Sequence, residues 1–99
     1  MKAEKLGGLI RLKRQEMGLT VKEFINRLGY SVSPTFISKL ENKGAIPGAE
    51  LICKIADVIN DPPEKLLDLA RNEKLERYNK SLDKKYIIAL NKFNKRGVK

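Results

Sequence analysis

Between Ser33 and Asn42 the chain reads S-P-T-F-I-S-K-L-E-N, and this stretch carries the side chains best suited to recognition chemistry. Ser33 is a good N-cap and Pro34 suits a first helical position, which predicts a helix starting here. Ile37 and Leu40 lie three apart and can face a core. Pro34, Thr35, Ser38 and Lys39 face elsewhere. So short a helix is marginal in isolation, so other segments must hold it. What it presents outward is small, polar and cationic, the set a helix needs to read a nucleic-acid groove.

Other chemistries are poorly supplied. The chain has no His and one Cys, Cys53, so an internal disulfide, a structural zinc site and a Cys/His nucleophile pair are set aside, and no metal or cofactor is expected. Cys53 follows Leu51 and Ile52 on an apolar segment and reads as a buried thiol. A Ser or Cys nucleophile lacks its commonest base, and nothing gathers around a lysine, so no enzyme is expected. No apolar run approaches a membrane span and no signal-peptide pattern is present, which predicts a cytoplasmic protein.

The 99 residues suit one domain with a modest core, and the net charge of +9 is unevenly placed. Residues 1–70 hold 11 Lys/Arg and 9 Asp/Glu, a net of +2, whereas residues 71–99 hold 10 and 3, a net of +7. A basic balance suits DNA, RNA or a membrane surface, and equally a merely soluble tail.

Several helices must position the central stretch. Leu6, Leu9, Ile10 and Met17 fit one helical face that stops at Gly18. Arg14 falls on that same apolar stripe, and a guanidinium there needs an anionic partner. Thr20-Val21-Lys22-Glu23 has the form of a capping box, followed by the apolar face Val21, Phe24, Ile25 and Leu28 and a stop at Gly29. The helix from Pro34 to about Asn42 comes next. Leu51, Ile52, Ile55, Ala56 and Ile59 give a fourth stripe. Asp61-Pro62-Pro63-Glu64 looks like a cap before Leu66, Leu67, Leu69 and Ala70. Residues 71–80 either extend that fifth helix or form a linker. Ser81 can cap a last helix with Leu82, Tyr86, Leu90 and Phe93 on one face. No segment alternates with period two, so the fold class is all-α: a five-helix domain over 1–70 and a basic helical extension over 71–99.

L-G-G-L-I-R-L-K-R-Q-E-M-G-L-T, K-E-F, S-P-T-F-I-S-K-L-E-N-K-G, L-I-C-K-I-A-D and P-P-E-K-L-L-D-L-A, in this order, resemble the phage repressor/Cro-type (XRE-type) helix-turn-helix family over roughly residues 6–70. The resemblance implies that Val21–Leu28 and Pro34–Asn42 form the helix-turn-helix, with the second helix in a DNA major groove. Carried over by position, Pro34, Thr35 and Lys39 face bases, with Ser38 a further candidate. Asn42 and Lys43 hold phosphates, and Lys22 can join them. The resemblance also pairs Arg14 with Glu41 as an ion pair tying the first helix to the third, which answers the need for a partner to Arg14. As an alternative, Arg14 touches DNA.

Three departures stand out. Between Gly29 and Glu41 the chain carries two residues more than the commonest family spacing, so the turn before the third helix is longer. Val21 replaces a common glutamine and cannot donate a hydrogen bond. Ile25 replaces a small residue facing the third helix. Phe36 reads as partly buried. The resemblance implies a sequence-specific double-stranded DNA-binding regulator, a repressor acting as a homodimer. The alternative is an antitoxin-like or adaptor module holding a protein partner through residues 71–99. For the face Leu82, Tyr86, Leu90 and Phe93, three readings stay open: packing on its own domain, a dimer interface, and, well behind, an anionic membrane.

Overall fold

The computed structural model describes residues 5–29 and 31–95. Five helices follow one another: α1 Leu6–Glu16, α2 Val21–Leu28, α3 Pro34–Asn42, α4 Ala49–Ile59 and α5 Pro63–Lys95. No strand occurs among the described residues. The fold is all-α, and α2 and α3 each begin with a local side-chain cap.

At α2 the Glu23 N–H donates to Thr20 Oγ1 at 3.1 Å and the Thr20 N–H donates to the Glu23 carboxylate at 2.8 Å, a complete capping box. That backbone donor holds the Glu23 carboxyl below the usual carboxylate range. Gly29 closes α2 with φ +64°, a left-handed conformation that glycine adopts without a side-chain clash. At α3, Ser33 Oγ accepts the Phe36 N–H at 3.1 Å, and Pro34 occupies the first position.

The core sits where the five helices converge. Ile10, Phe24, Ile37, Leu40, Ile55 and Leu66 are fully buried in one cluster. α3 packs on α1 and α2, and α4 lies along the first part of α5. Gly7 matters at the α1–α3 crossing: a Cβ there would sit 2.1 Å from the Leu40 carbonyl oxygen. The two backbones touch, and any side chain would part them.

Three expectations are corrected. Met17 is exposed, because α1 ends at Glu16 and Met17 lies past the last inward turn. Cys53 is exposed, not buried: Ile52, Ile55, Ala56 and Ile59 form the inner side of α4 and leave Cys53 outside. Ser81 caps nothing, since it lies inside the unbroken α5, and residues 71–80 are helix throughout, not a linker. α5 starts at Pro63, and the Asp61 carboxylate instead lies 3.7 Å from the Lys65 ammonium.

α5 has 33 residues, roughly 50 Å at the α-helical rise. It gives the molecule its elongated form of 61 × 25 × 25 Å. Its first half belongs to the domain; its second half projects. Leu82 is half-buried, while Tyr86, Leu90 and Phe93 are all more than half exposed. Packing of this face on its own domain is therefore not what the chain does. A straight helix carries it away from the core.

Candidate nucleic-acid interface

α2, the five-residue turn and α3 form the candidate interface, and α3 is its exposed member. Pro34, Thr35, Ser38 and Lys39 are all exposed, while Ile37 and Leu40 behind them have no accessible surface. The i, i+3 and i+4 spacing separates a buried stripe from a free one on a helix of nine residues. Phe36 is half-buried and packs against the core edge. α3 is therefore seated deeply enough to be fixed and high enough to offer its first two turns to solvent.

Arg14 fixes it further. Its Nε donates to one Glu41 oxygen at 2.9 Å and its Nη2 to the other at 3.0 Å, while Nη1 donates to the Leu19 carbonyl at 2.8 Å. The Arg14 side chain is 12% exposed and that of Glu41 3%. The Glu41 hydrogen bonds raise the Arg14 pKa above its ordinary value. A bidentate pair of this kind is directional as well as attractive, so it sets the rotation of α3 relative to α1. These bonds turn three of the five Arg14 N–H donors inward, and the side chain is nearly buried.

The end of α3 holds a smaller network. Arg11 Nη1 donates to Asn42 Oδ1 at 3.3 Å, and Asn42 Nδ2 donates to Ser38 Oγ at 3.4 Å. Asn42 thus braces Ser38 from one turn away. Lys43, the residue closing α3, and Lys22, in the first turn of α2, are both exposed. Val21 and Ile25 are half-buried against the core, so α2 meets α3 through apolar contact.

Two features escaped the sequence. Arg11 gave no signal, being one of several polar residues on the outer side of α1. Glu73 did give one. Leu66, Ala70 and Glu73 continue a single helical stripe, and a carboxylate on an apolar stripe asks for a partner just as Arg14 does. Glu73 is 7% exposed and accepts the Leu6 N–H at 2.6 Å. Lys5, at the N-cap of α1, makes no side-chain cap there, so a carboxylate from α5 supplies the missing acceptor. Arg77 adds a hydrogen bond to the Gly44 carbonyl, and the Lys5 ammonium meets Glu76 at 3.0 Å, which holds the Glu76 carboxyl below its usual range. The domain's contacts with α5 therefore reach Arg77, beyond the boundary expected at residue 70.

A family model described as Helix-turn-helix matches residues 10–66, more than half of the chain. The chain belongs to the XRE-type helix-turn-helix DNA-binding family. That match spans the Arg14–Glu41 pair, all of α2, α3 and α4, and the start of α5, and it stops before the projecting half. The chain is also similar in fold to a solved structure, that of the clp gene regulator ClgR from Corynebacterium glutamicum. Identity is 24%, with 80% of this chain and 83% of that chain covered and a TM-score of 0.54. No curated protein matches. No described helix of this helix-turn-helix protein is long and apolar enough to cross a membrane.

Proposed function

We propose that this protein is a sequence-specific double-stranded DNA-binding transcriptional repressor that acts as a homodimer and reads the major groove with α3. The observation that carries the reading is the division of α3 into two faces: Ile37 and Leu40 fully buried, Pro34, Thr35, Ser38 and Lys39 exposed. Family membership supports it. Thr35 offers a hydroxyl and a methyl to base edges, and Lys39 donates to guanine O6 or N7. Ser38, with its oxygen engaged by Asn42, donates to a base acceptor. Lys22 and Lys43 meet phosphates and set the register without reading sequence. Asn42 is assigned to phosphate through whatever donor capacity its bond to Ser38 leaves. Two copies related by a twofold axis read half-sites about 34 Å apart, one turn of DNA.

The test is selection of bound sequences from a random DNA pool, with titration of the selected duplex against a scrambled one at moderate salt. An inverted repeat with half-sites one turn apart is expected. Equal affinity for selected and scrambled DNA rejects sequence-specific reading. A reporter placed behind the selected site decides repression against activation.

A second reading, an antitoxin-like or adaptor module, draws on the exposed apolar side chains of the projecting half of α5. Removing that half and retaining full capture of a co-purifying protein would count against it.

A further inference from the structure

We infer that residues 75–93 of α5 form a parallel two-helix seam with the same segment of a second copy of this chain, through Leu75, Asn79, Leu82, Tyr86, Ala89 and Phe93. The inference deepens the dimer reading above and names the surface that makes it.

α5 has a domain-facing stripe and an outward apolar stripe, and they point in opposite directions. Leu66, Ala70, Glu73 and Arg77 face the domain: the first three are buried and the fourth bonds the Gly44 carbonyl. At about 100° per residue, the six seam residues centre roughly 170° around the helix from those four. Leu75 is 49% exposed, Tyr86 68% and Phe93 54%. Lys80 and Lys84 continue the domain-facing side, so bending α5 back would press lysines onto the domain and leave the seam in water. Among the described residues nothing covers it.

The spacing of the seam, four and three in alternation, is the 3.5-residue repeat by which two helices wrap around each other. Leu75, Leu82 and Ala89 take one kind of position, and Asn79, Tyr86 and Phe93 the other. Ala89 leaves room beside the two aromatic rings. Asn79 in the seam hydrogen-bonds its own counterpart only when the copies are in register, a device that fixes both alignment and copy number. The exposed surface of these side chains with flanking Tyr78 and Leu90 is on the order of 600 Å² per copy, and about 1,200 Å² for a pair is where stable interfaces begin.

Charge decides the direction. One edge of the seam holds Tyr78, Lys85 and Lys92, and the other holds Glu76, Asp83 and Leu90. An antiparallel pair would face lysine with lysine along one edge and carboxylate with carboxylate along the other. A parallel pair sets Tyr78 against Asp83 and the Lys85 stem against Leu90 of the neighbouring copy, with no like charges opposed. Leu90 leaves the seam for its flank, and Ile88 lies off it.

Sedimentation of the 99-residue chain without DNA tests the seam apart from the reading helix. The expected mass is twice 11.2 kDa. Leu82→Lys and Tyr86→Lys should each give a monomer, while Ile88→Lys should stay dimeric. In a Cys53→Ser background, Asn79→Cys should oxidise to a reducible covalent dimer, which only the parallel register allows. A wild-type monomer at micromolar concentration overturns the proposal. So does a dimer that Ile88→Lys dissociates as readily as Leu82→Lys, or one in which Asn79→Cys fails to cross-link. A monomer that binds phosphatidylglycerol vesicles through this face also overturns it. A dimer that behaves as expected but shows no DNA preference would uphold the seam and reject the reading of α3.

Discussion

α3 spans nine residues and has Ile37 and Leu40 wholly inside the core, whereas the projecting half of α5 is longer and buries no apolar side chain in its own domain. α3 is a helix because its surroundings insist on it: Ser33 starts it, the core takes two of its side chains, and Arg14 grips Glu41. The projecting half is a helix because it continues a helix already nucleated on the domain, which removes the costly first turn. Exposed helical surfaces can thus be built in two ways. One is pinned from behind and displays its front. The other is supported from one end and keeps its whole circumference free.

The contrast can be attacked at its strongest point first. Glu41→Ala leaves the Arg14 guanidinium buried without its carboxylate and should cost about 3–5 kcal/mol in chemical denaturation. DNA affinity should fall with it, because α3 loses its tether. Replacing the pair together, Arg14→Met with Glu41→Leu, should recover most of the stability. Gly7→Ala comes next. The Leu40 carbonyl cannot move without moving α3, so a loss on the order of 1–3 kcal/mol is expected in thermal unfolding. A neutral Gly7→Ala would show that α1 and α3 are not in backbone contact.

Lys39→Ala should cost about 1–3 kcal/mol of discrimination between the selected DNA and a base-substituted one. Lys43→Ala should weaken all DNA alike and lower the salt slope by about one. Equal losses on selected and random duplexes for Lys39→Ala would remove Lys39 from the readers.

The smallest effect compares the two regions directly. Glu23 caps α2 beside α3, and Glu76 holds Lys5 from α5; both carboxyls titrate lower in the folded chain than in the unfolded one. Their stabilisation is complete above the ordinary glutamate value of 4.5 and is lost as the pH falls through the lowered folded values. Melting temperature should therefore decline as the pH drops below that value. Glu23→Gln and Glu76→Gln should each flatten the decline slightly.

The helix-turn-helix was largely legible in the chain because its signals are local and redundant. Thr20 with Glu23, Ser33 with Pro34, and the Phe24–Leu28 spacing each mark a helix end or face without reference to anything distant. Arg14 could be flagged as needing a partner for the same reason, since a charge on an apolar stripe is visible at short range. What stayed hidden depends on contacts far apart in sequence. Glu73 meets Leu6 across most of the chain, and Gly7 is tolerated only because Leu40 passes behind it. Ser81 misled because a serine after polar residues has the form of a cap, yet an already growing helix simply runs through it.

The bond from Glu73 to the Leu6 N–H has a mechanical meaning. It joins the root of α5 to the start of α1, and Arg77 secures the same root to the loop after α3. Between this anchorage and Phe93 the helix is unbroken, so there is no swivel along its length. In the proposed pair, each head would turn only as far as the rod itself can twist. Each base pair inserted between half-sites rotates one site about 34° relative to the other. A pair of welded rods would meet that rotation with torsional strain, which makes operator spacing something the protein measures as well as sequence.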